Sequence, residues 1–271
     1  MSCGDDSPHW THTLFQENAH LYLPFLEEAK ERASGEADIL AGLLGELNVP
    51  ESGKVLDVAC GIGRHSVPLA LAGYRVSGLD ISELFISEAR AYAKSAGARV
   101  NFTAGDALEA QRLMSEDSPF DAVINMFTSH GYYGRAEDLN LFRQLRGLAC
   151  DGAALVVLTT NRDWIIRNFQ PEGMEQAGKM RVLQNRRLDL ATSTMHNRWQ
   201  FYEGARESLA LRLTLDMEHR LYSLHELAAL LEEAGWSFVK GLGRPDRTNE
   251  PLGPLTYDHH AMWVVAMAAG E

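Results

Sequence analysis

The stretch Lys54-Val-Leu-Asp-Val-Ala-Cys-Gly-Ile-Gly-Arg64 is the most informative part of this chain. Its first half, Val55 to Ala59, has the continuous apolar character of a buried parallel strand. A turn with glycines follows, and a helix is predicted from Arg64 to Ala72. A second predicted strand, Arg75 to Asp80, ends on an acid. This order of strand, glycine turn, helix, strand and acid is typical of a unit that binds an adenosine-containing ligand.

Strands and helices continue to alternate up to residue 160, which predicts a parallel sheet with right-handed crossovers. Further strands are predicted at 99–103, 120–126 and 153–160, and further helices at 83–96 and 137–148. Residues 1–50 show helical spacing of apolar residues, with Pro24 predicted to kink or break the first helix.

The pattern changes after Asn161. Residues 208–218 alternate apolar and polar side chains with the period of a strand, and 187–201 also look extended. Residues 180–221 are therefore predicted to form an antiparallel insertion. Ser223 and Glu226 then have the spacing of a capping box at the start of another helix. Two final strands are predicted at 236–242 and 260–268.

Composition bounds the classes of function. The chain has 271 residues, a 45% hydrophobic share and a net charge of −12. An acidic chain without a basic cluster is unsuited to nucleic acid or to an anionic membrane surface. No apolar run reaches the length of a membrane-spanning helix, and the N-terminus lacks the pattern of a secretory signal. The cysteines are Cys3, Cys60 and Cys150, an odd set that favours a reducing compartment, so we expect a cytoplasmic enzyme.

The glycine turn distinguishes between adenosine ligands. A dinucleotide site needs a third glycine three residues after Gly63, and that position is Ser66. A carboxylate at Asp57, inside the strand end, would be unfavourable beside a pyrophosphate. The same carboxylate suits S-adenosylmethionine, which carries a sulfonium and an ammonium group and no phosphate.

With these motifs, the chain resembles the class I S-adenosylmethionine-dependent methyltransferases over about residues 54–160, and more loosely over 222–268. The segment from Asp57 to Gly63 resembles the first motif of that family, with Ala59 in place of its common first glycine. Asp80 and Ile81 resemble the ribose-binding acid and the residue that packs on adenine. The resemblance assigns cofactor binding to Asp57, Ala59, Gly61, Gly63, Asp80, Ile81, Asp106, Ala107 and Met126.

The resemblance also completes the predicted fold class: a doubly wound, seven-stranded, mostly parallel α/β sheet with an antiparallel last strand. Three regions are expected: an N-terminal helical lid (1–50), a Rossmann-like core (51–161 and 222–271) and an inserted antiparallel β cap over the acceptor site (162–221). Tyr22 in the lid is either a cofactor contact or a core residue.

The implied activity is methyl transfer to a small-molecule acceptor by in-line displacement. Cys60, Arg64 and His65 are similar to residues of a small-molecule subgroup that includes N-methyltransferases, so transfer to nitrogen is favoured over transfer to oxygen. His130, in the loop after the fourth strand, is the candidate general base, or else a structural loop residue. No metal site is expected. Insertion strands can pair between subunits, so a homodimer is left open.

Two other functions remain as alternatives. A nicotinamide-dependent oxidoreductase could use a similar sheet, although the third glycine is absent. A non-catalytic protein could retain the S-adenosylmethionine pocket without an enclosed acceptor site.

Overall fold

The structure is a computed structural model that describes residues 8–32, 34–127, 129–205, 208–245 and 250–270. The helices are α1 (Trp10–His12), a π-helical turn (Thr13–Glu17), α2 (Ala19–Arg32), α3 (Ser34–Glu46), α4 (Ser66–Leu71), α5 (Glu83–Ala96), a 3₁₀ turn (Ala107–Glu109), α6 (Ala110–Met114), α7 (Arg135–Leu148), α8 (Arg162–Arg167) and α9 (Leu224–Glu233). The strands are β1 (Lys54–Val58), β2 (Arg75–Asp80), β3 (Val100–Ala104), β4 (Phe120–Met126), β5 (Ala149–Thr160), β6 (Glu172–Ala177), β7 (Met180–Asp189), β8 (Thr194–Ala205), β9 (Ser208–Arg220), β10 (Trp236–Gly243), β11 (Gly253–Pro254) and β12 (Ala261–Ala268).

The main sheet has the strand order β11-β10-β12-β5-β4-β1-β2-β3. Strands β1 to β5 run parallel to one another, while β12 is antiparallel to both of its neighbours, β5 and β10. The predicted fold class is confirmed. The two-residue strand β11 at one edge is an addition that the sequence pattern does not reveal, because such a short pairing has no periodicity.

Apolar cores cover both faces of this sheet, as a parallel sheet requires. One core contains Phe142 and Leu145 of α7, together with Leu227 of α9. The opposite core contains Leu40 and Leu44 of α3 against the strands. Because both faces are buried in this way, the carboxyl ends of the strands are the part of the sheet that can admit a ligand.

The inserted sheet, β6-β7-β8-β9, is antiparallel throughout. Its inner face shares a core with the N-terminal helices, where Trp10 and Leu14 pack with Val182, Phe201 and Met217. Helices α1 and α2 therefore pack with the inserted sheet, whereas α3, which the sequence analysis placed in the same N-terminal lid, packs on the main sheet.

Three local predictions are wrong. Pro24 does not break the first helix, because it lies inside α2, which continues to Arg32. The inserted sheet begins at Glu172 rather than at residue 180. The segment predicted as one extended run at 187–201 contains a turn at 190–193 between β7 and β8. The Ser223 capping box is confirmed.

Candidate functional site

A cavity of about 340 Å³ lies at the carboxyl ends of the parallel strands. We call the part formed by the main sheet and its loops the floor, and the part formed by the N-terminal helices and the inserted sheet the roof. The floor residues on its wall are Ala59, Cys60, Gly61, Ile62, Arg64, His65, Leu79, Asp80, Ile81, Phe85, Gly105, Asp106, Ala107, Met126, Phe127, Ser129, Tyr132 and Tyr133. The roof residues are Trp10, Thr11, Leu14, Phe15, Tyr22, Leu26, Glu175, Met195, Asn197, Trp199, Met217 and His219.

The turn after β1 exposes backbone to the cavity. Ala59, Gly61 and Gly63 have φ values of 57°, 54° and 77°, all in the left-handed region. At Gly63 space is also tight, because a Cβ atom would lie 3.0 Å from the Phe102 ring, which would have to move to admit it. Ala59 adopts this conformation with a Cβ atom, which costs about 1 kcal/mol relative to glycine.

Asp80 lies on the cavity wall and organises the turn. Its Oδ2 accepts a hydrogen bond from Gly61 N at 2.8 Å, and its Oδ1 accepts one from Ser82 N at 2.9 Å. Burial raises the pKa of Asp80 to about 6, and the two backbone amides oppose that rise. Each carboxylate oxygen retains acceptor capacity for a ligand hydroxyl.

Asp57 lies behind the wall rather than on it. Ser66 Oγ donates a 2.5 Å hydrogen bond to its Oδ2, and only 1% of the residue is exposed. Burial raises the pKa of Asp57 to about 7. Asp57 therefore supports the turn from beneath, next to Asp80.

The structure brings most of the predicted cofactor residues to one cavity. Those on the wall are Tyr22, Ala59, Gly61, Asp80, Ile81, Asp106, Ala107 and Met126, whereas Asp57 and Gly63 pack directly behind it. Asp106 caps the following 3₁₀ turn by accepting a hydrogen bond from Leu108 N at 2.9 Å.

His130, the predicted base, does not line the cavity. It is 2% exposed, and its Nδ1 lies 3.1 Å from Asn125 Oδ1. Its ring packs near Phe142 and Tyr222. Burial lowers its pKa to about 4. The sequence predicted His130 on the cavity wall, whereas in the structure its side chain is buried behind the wall.

Arg64 is a wall residue whose role the sequence analysis did not identify. Its Nη1 donates to Glu36 Oε2 at 3.0 Å, and His65 Nε2 lies 3.1 Å from the same oxygen. The guanidinium lies 5.0 Å from the centre of the Phe127 ring. Its Nη2 is buried and has no hydrogen-bond partner among the described residues. The signal available in the sequence was its position, immediately after the last glycine of the turn.

The roof contains a second group of polar atoms that the sequence analysis missed. Trp10 Nε1, Trp199 Nε1 and Asn197 Oδ1 are buried without a hydrogen-bond partner among the described residues. Asn197 and Trp199 alternate along β8 with Arg198, which pairs with Asp216 at 2.7 Å on the outer surface. Met195, Asn197 and Trp199 of β8 thus face the cavity.

None of the helices in the described residues has both the length and the apolar character needed to span a membrane. In the same ranges, no cluster of three or more His, Cys, Asp or Glu side chains is arranged to hold a metal ion.

Comparison with known proteins supports the class of protein that the cavity and fold define. Residues 55–152 match the family model described as "Methyltransferase domain". A putative methyltransferase, YqeM, from Bacillus subtilis is 34% identical over 106 residues, which cover 37% of this chain and 41% of that protein. A ubiquinone biosynthesis O-methyltransferase from Rhizobium rhizogenes is 41% identical over 73 residues, which cover 27% of this chain and 28% of that protein.

Solved structures extend the likeness over nearly the whole chain. An S-adenosylmethionine-dependent methyltransferase from Clostridium acetobutylicum has a TM-score of 0.74 at 14% identity, covering 94% of this chain and 98% of that one. The sugar N-methyltransferase KedS8 from a Streptoalloteichus species has a TM-score of 0.66 at 17% identity, covering 100% and 99%. The predicted resemblance is confirmed in two respects: residues 55–152 match the methyltransferase-domain model, and the chain shares its fold with a solved S-adenosylmethionine-dependent methyltransferase.

Proposed function

We propose that this protein transfers the methyl group of S-adenosylmethionine to a small-molecule acceptor, and that the atom methylated is nitrogen. The observation that carries the proposal is the single cavity shared by the floor and the roof. Its floor holds Asp80 and Asp106 at successive strand ends, and its roof supplies a separate set of buried polar atoms. One half thus fits a nucleoside cofactor, while the other remains for a second molecule.

The floor residues fit the cofactor. Asp80 can accept hydrogen bonds from two ribose hydroxyls, and Ile81 and Ala107 can flank the adenine. The unpartnered Nη2 of Arg64 can bind the cofactor carboxylate. The wall also carries the carboxyl groups of Asp80, Asp106 and Glu175, which would repel a diphosphate. This charge distribution disfavours the nicotinamide alternative.

When bound, S-adenosylmethionine supplies an activated methyl group, so the chain has mainly to align the acceptor and exclude water. A hydroxyl acceptor would in addition need a base. The roof imidazole, His219, has its pKa lowered to about 4 by burial, which makes it a weak base near neutral pH. A neutral amine needs no such residue, and this favours nitrogen.

We assign the N-terminal helices to a lid and residues 162–221 to a cap over the acceptor.

We also infer a reducing compartment, the cytoplasm, because Cys60 and Cys150 are free thiols. The outer strand β9 exposes Leu209 and Leu211 and could pair with a second copy of the chain. Light scattering of the purified protein tests the dimer.

Titration calorimetry tests the cofactor assignment. We expect S-adenosylhomocysteine to bind and NAD not to bind at the same concentration. Transfer of a labelled methyl group to a mixture of small amines and alcohols then tests the activity. Binding of NAD in preference to S-adenosylhomocysteine would contradict the proposal, and cofactor binding without any transfer would favour the non-catalytic alternative.

A further inference from the structure

A chain of hydrogen bonds in the roof has a defined direction because charged groups lie at its ends. Gln184, 5% exposed, accepts a hydrogen bond through Oε1 from Arg186 Nε at 3.0 Å. Its Nε2 donates to Glu175 Oε1 at 2.8 Å. A guanidinium can only donate and a carboxylate can only accept. The orientation of the Gln184 amide is therefore determined by its partners rather than left ambiguous.

This orientation also determines that of Asn197. The Asn197 atom that faces Gln184 Oε1, at 3.3 Å, must be a donor, so it is Nδ2. The carbonyl oxygen Oδ1 is then turned away from the network. Oδ1 is buried, it has no partner among the described residues, and Asn197 lies on the cavity wall. A buried carbonyl without a partner is unfavourable, so this atom suits a ligand that brings a hydrogen-bond donor.

The neighbouring roof groups define the rest of the ligand. Met217 is paired with Asn197 across the strands and offers an apolar surface. The indole N–H groups of Trp10 and Trp199 are donors without partners among the described residues, so they suit an oxygen acceptor on the ligand. Among the residues that the structure describes, the roof wall carries the carboxylate of Glu175 and no lysine or arginine. A phosphate or carboxylate on the ligand would therefore find no cation there.

We propose that Asn197 Oδ1 binds the N–H of the acceptor nitrogen, and that the acceptor is an unphosphorylated primary or secondary amine with an uncharged oxygen close to the nitrogen. This inference rests on the proposed function. The N–H bond to Asn197 leaves the nitrogen lone pair free to point at the methyl group. That lone pair forms the new N–C bond while the methyl–sulfur bond breaks, the electron pair of that bond stays on sulfur, and the methylated ammonium releases one proton to water.

A matched set of acceptors tests this selectivity. Aminosugars and alkanolamines are each supplied in primary, N-methyl and N,N-dimethyl form, together with the alcohol of the same skeleton and a phosphorylated form. Methyl transfer from labelled S-adenosylmethionine is measured by mass spectrometry. We expect the primary and secondary members to exceed the tertiary, alcohol and phosphorylated members by at least about tenfold in kcat/KM, which corresponds to one buried hydrogen bond.

Two variants link this selectivity to the network. Asn197→Leu is expected to weaken binding of the preferred amine to the S-adenosylhomocysteine complex about tenfold, measured by calorimetry, and to leave S-adenosylhomocysteine affinity within about twofold. Gln184→Leu releases the Asn197 amide to rotate, and it is expected to reduce the ratio of secondary to tertiary amine binding. Arg198→Gln, on the outer face of the same strand, is the control and should change neither quantity.

Two outcomes would overturn the inference while the proposed function stands. They are equal transfer to the tertiary or phosphorylated members, and unchanged amine binding in both the Asn197 and Gln184 variants. Failure of the unmodified protein to bind S-adenosylhomocysteine, absence of transfer to any amine, or transfer to the alcohols equal to that to the amines would instead contradict the proposed function itself.

Discussion

The floor and the roof of the cavity are built by different means. The floor uses strand ends, a glycine turn and an acid whose two oxygens accept backbone amides, so its geometry follows from local chain order. The roof uses side chains from segments far apart in the sequence, such as Trp10 and Trp199, held together by a small apolar core. The floor is suited to one shared cofactor, whereas the roof can change its acceptor without disturbing the turn. Variants in each half should therefore separate cofactor binding from acceptor binding.

The largest expected effect is on the floor, at Asp80. Asp80→Ala leaves the Gly61 and Ser82 amides without their partner and removes the acceptor for ribose hydroxyls. We expect S-adenosylhomocysteine affinity to fall at least about 100-fold, measured by calorimetry. Asp258→Ala, an exposed acid paired with Arg167, is the matched control. Tight binding by the Asp80 variant would show that the floor is not the cofactor site.

Cofactor affinity should also depend on pH through Asp80. Because its pKa is raised to about 6, the ionised form that accepts ribose hydroxyls is populated above that pH. Affinity is therefore expected to increase as pH rises through 6.

The free energy of unfolding should depend on pH through Asp57, and it should fall as pH rises, whereas cofactor affinity rises with pH through Asp80. Burial raises the pKa of Asp57 to about 7 in the folded protein, above the ordinary value of a carboxyl group, so the folded state holds its proton more strongly. This contribution to the free energy of unfolding is present below about pH 4 and is lost as pH rises towards 7. Asp57→Asn should flatten that decline by about 2 kcal/mol or more in urea unfolding at pH 4 and pH 7. An unchanged slope in the variant would contradict the assignment to Asp57.

A variant of Arg64 tests whether this residue binds the amino acid tail of the cofactor. Arg64→Met should lower affinity for S-adenosylhomocysteine about tenfold, because a charge-assisted hydrogen bond to its carboxylate is lost. Affinity for 5′-methylthioadenosine, which lacks the amino acid tail, should stay within about twofold. An equal loss for both ligands would mean that Arg64 supports the turn. A loss confined to the acceptor would place it with the roof.

The smallest expected effect concerns Trp10 in the roof. Trp10→Phe keeps an aromatic ring and removes the N–H, so acceptor kcat/KM should fall about threefold to fivefold. Affinity for S-adenosylhomocysteine, measured by calorimetry, should not change. Leu71→Ala, an exposed residue outside the cavity, controls for general loss of stability. A larger effect on the cofactor than on the acceptor would remove the distinction between the two halves.

Much of the floor could be predicted because its signals are short and local. Asp80 and Asp106 follow predicted parallel strands, and parallel strands bring their carboxyl ends to one edge. The same reasoning failed for His130, because placing it on the wall assumed a loop direction that no local pattern contains. The sequence reasoning also placed Asp57 in contact with the ligand, whereas in the structure Asp57 accepts a hydrogen bond from Ser66 and lies behind the cavity wall.

The alternation of apolar residues, the glycine turn and the strand-terminal acids were enough to predict the class of fold and to bring Asp80 and Asp106 to one cavity. Hydrophobic periodicity and backbone stereochemistry act over a few residues, so they can be inferred from the chain alone. Which face of β8 looks inward, and which way the Asn197 amide points, were decided only by tertiary structure. Both depend on contacts between distant segments, where the N-terminal helices pack on the inserted sheet and Arg186 and Glu175 orient Gln184.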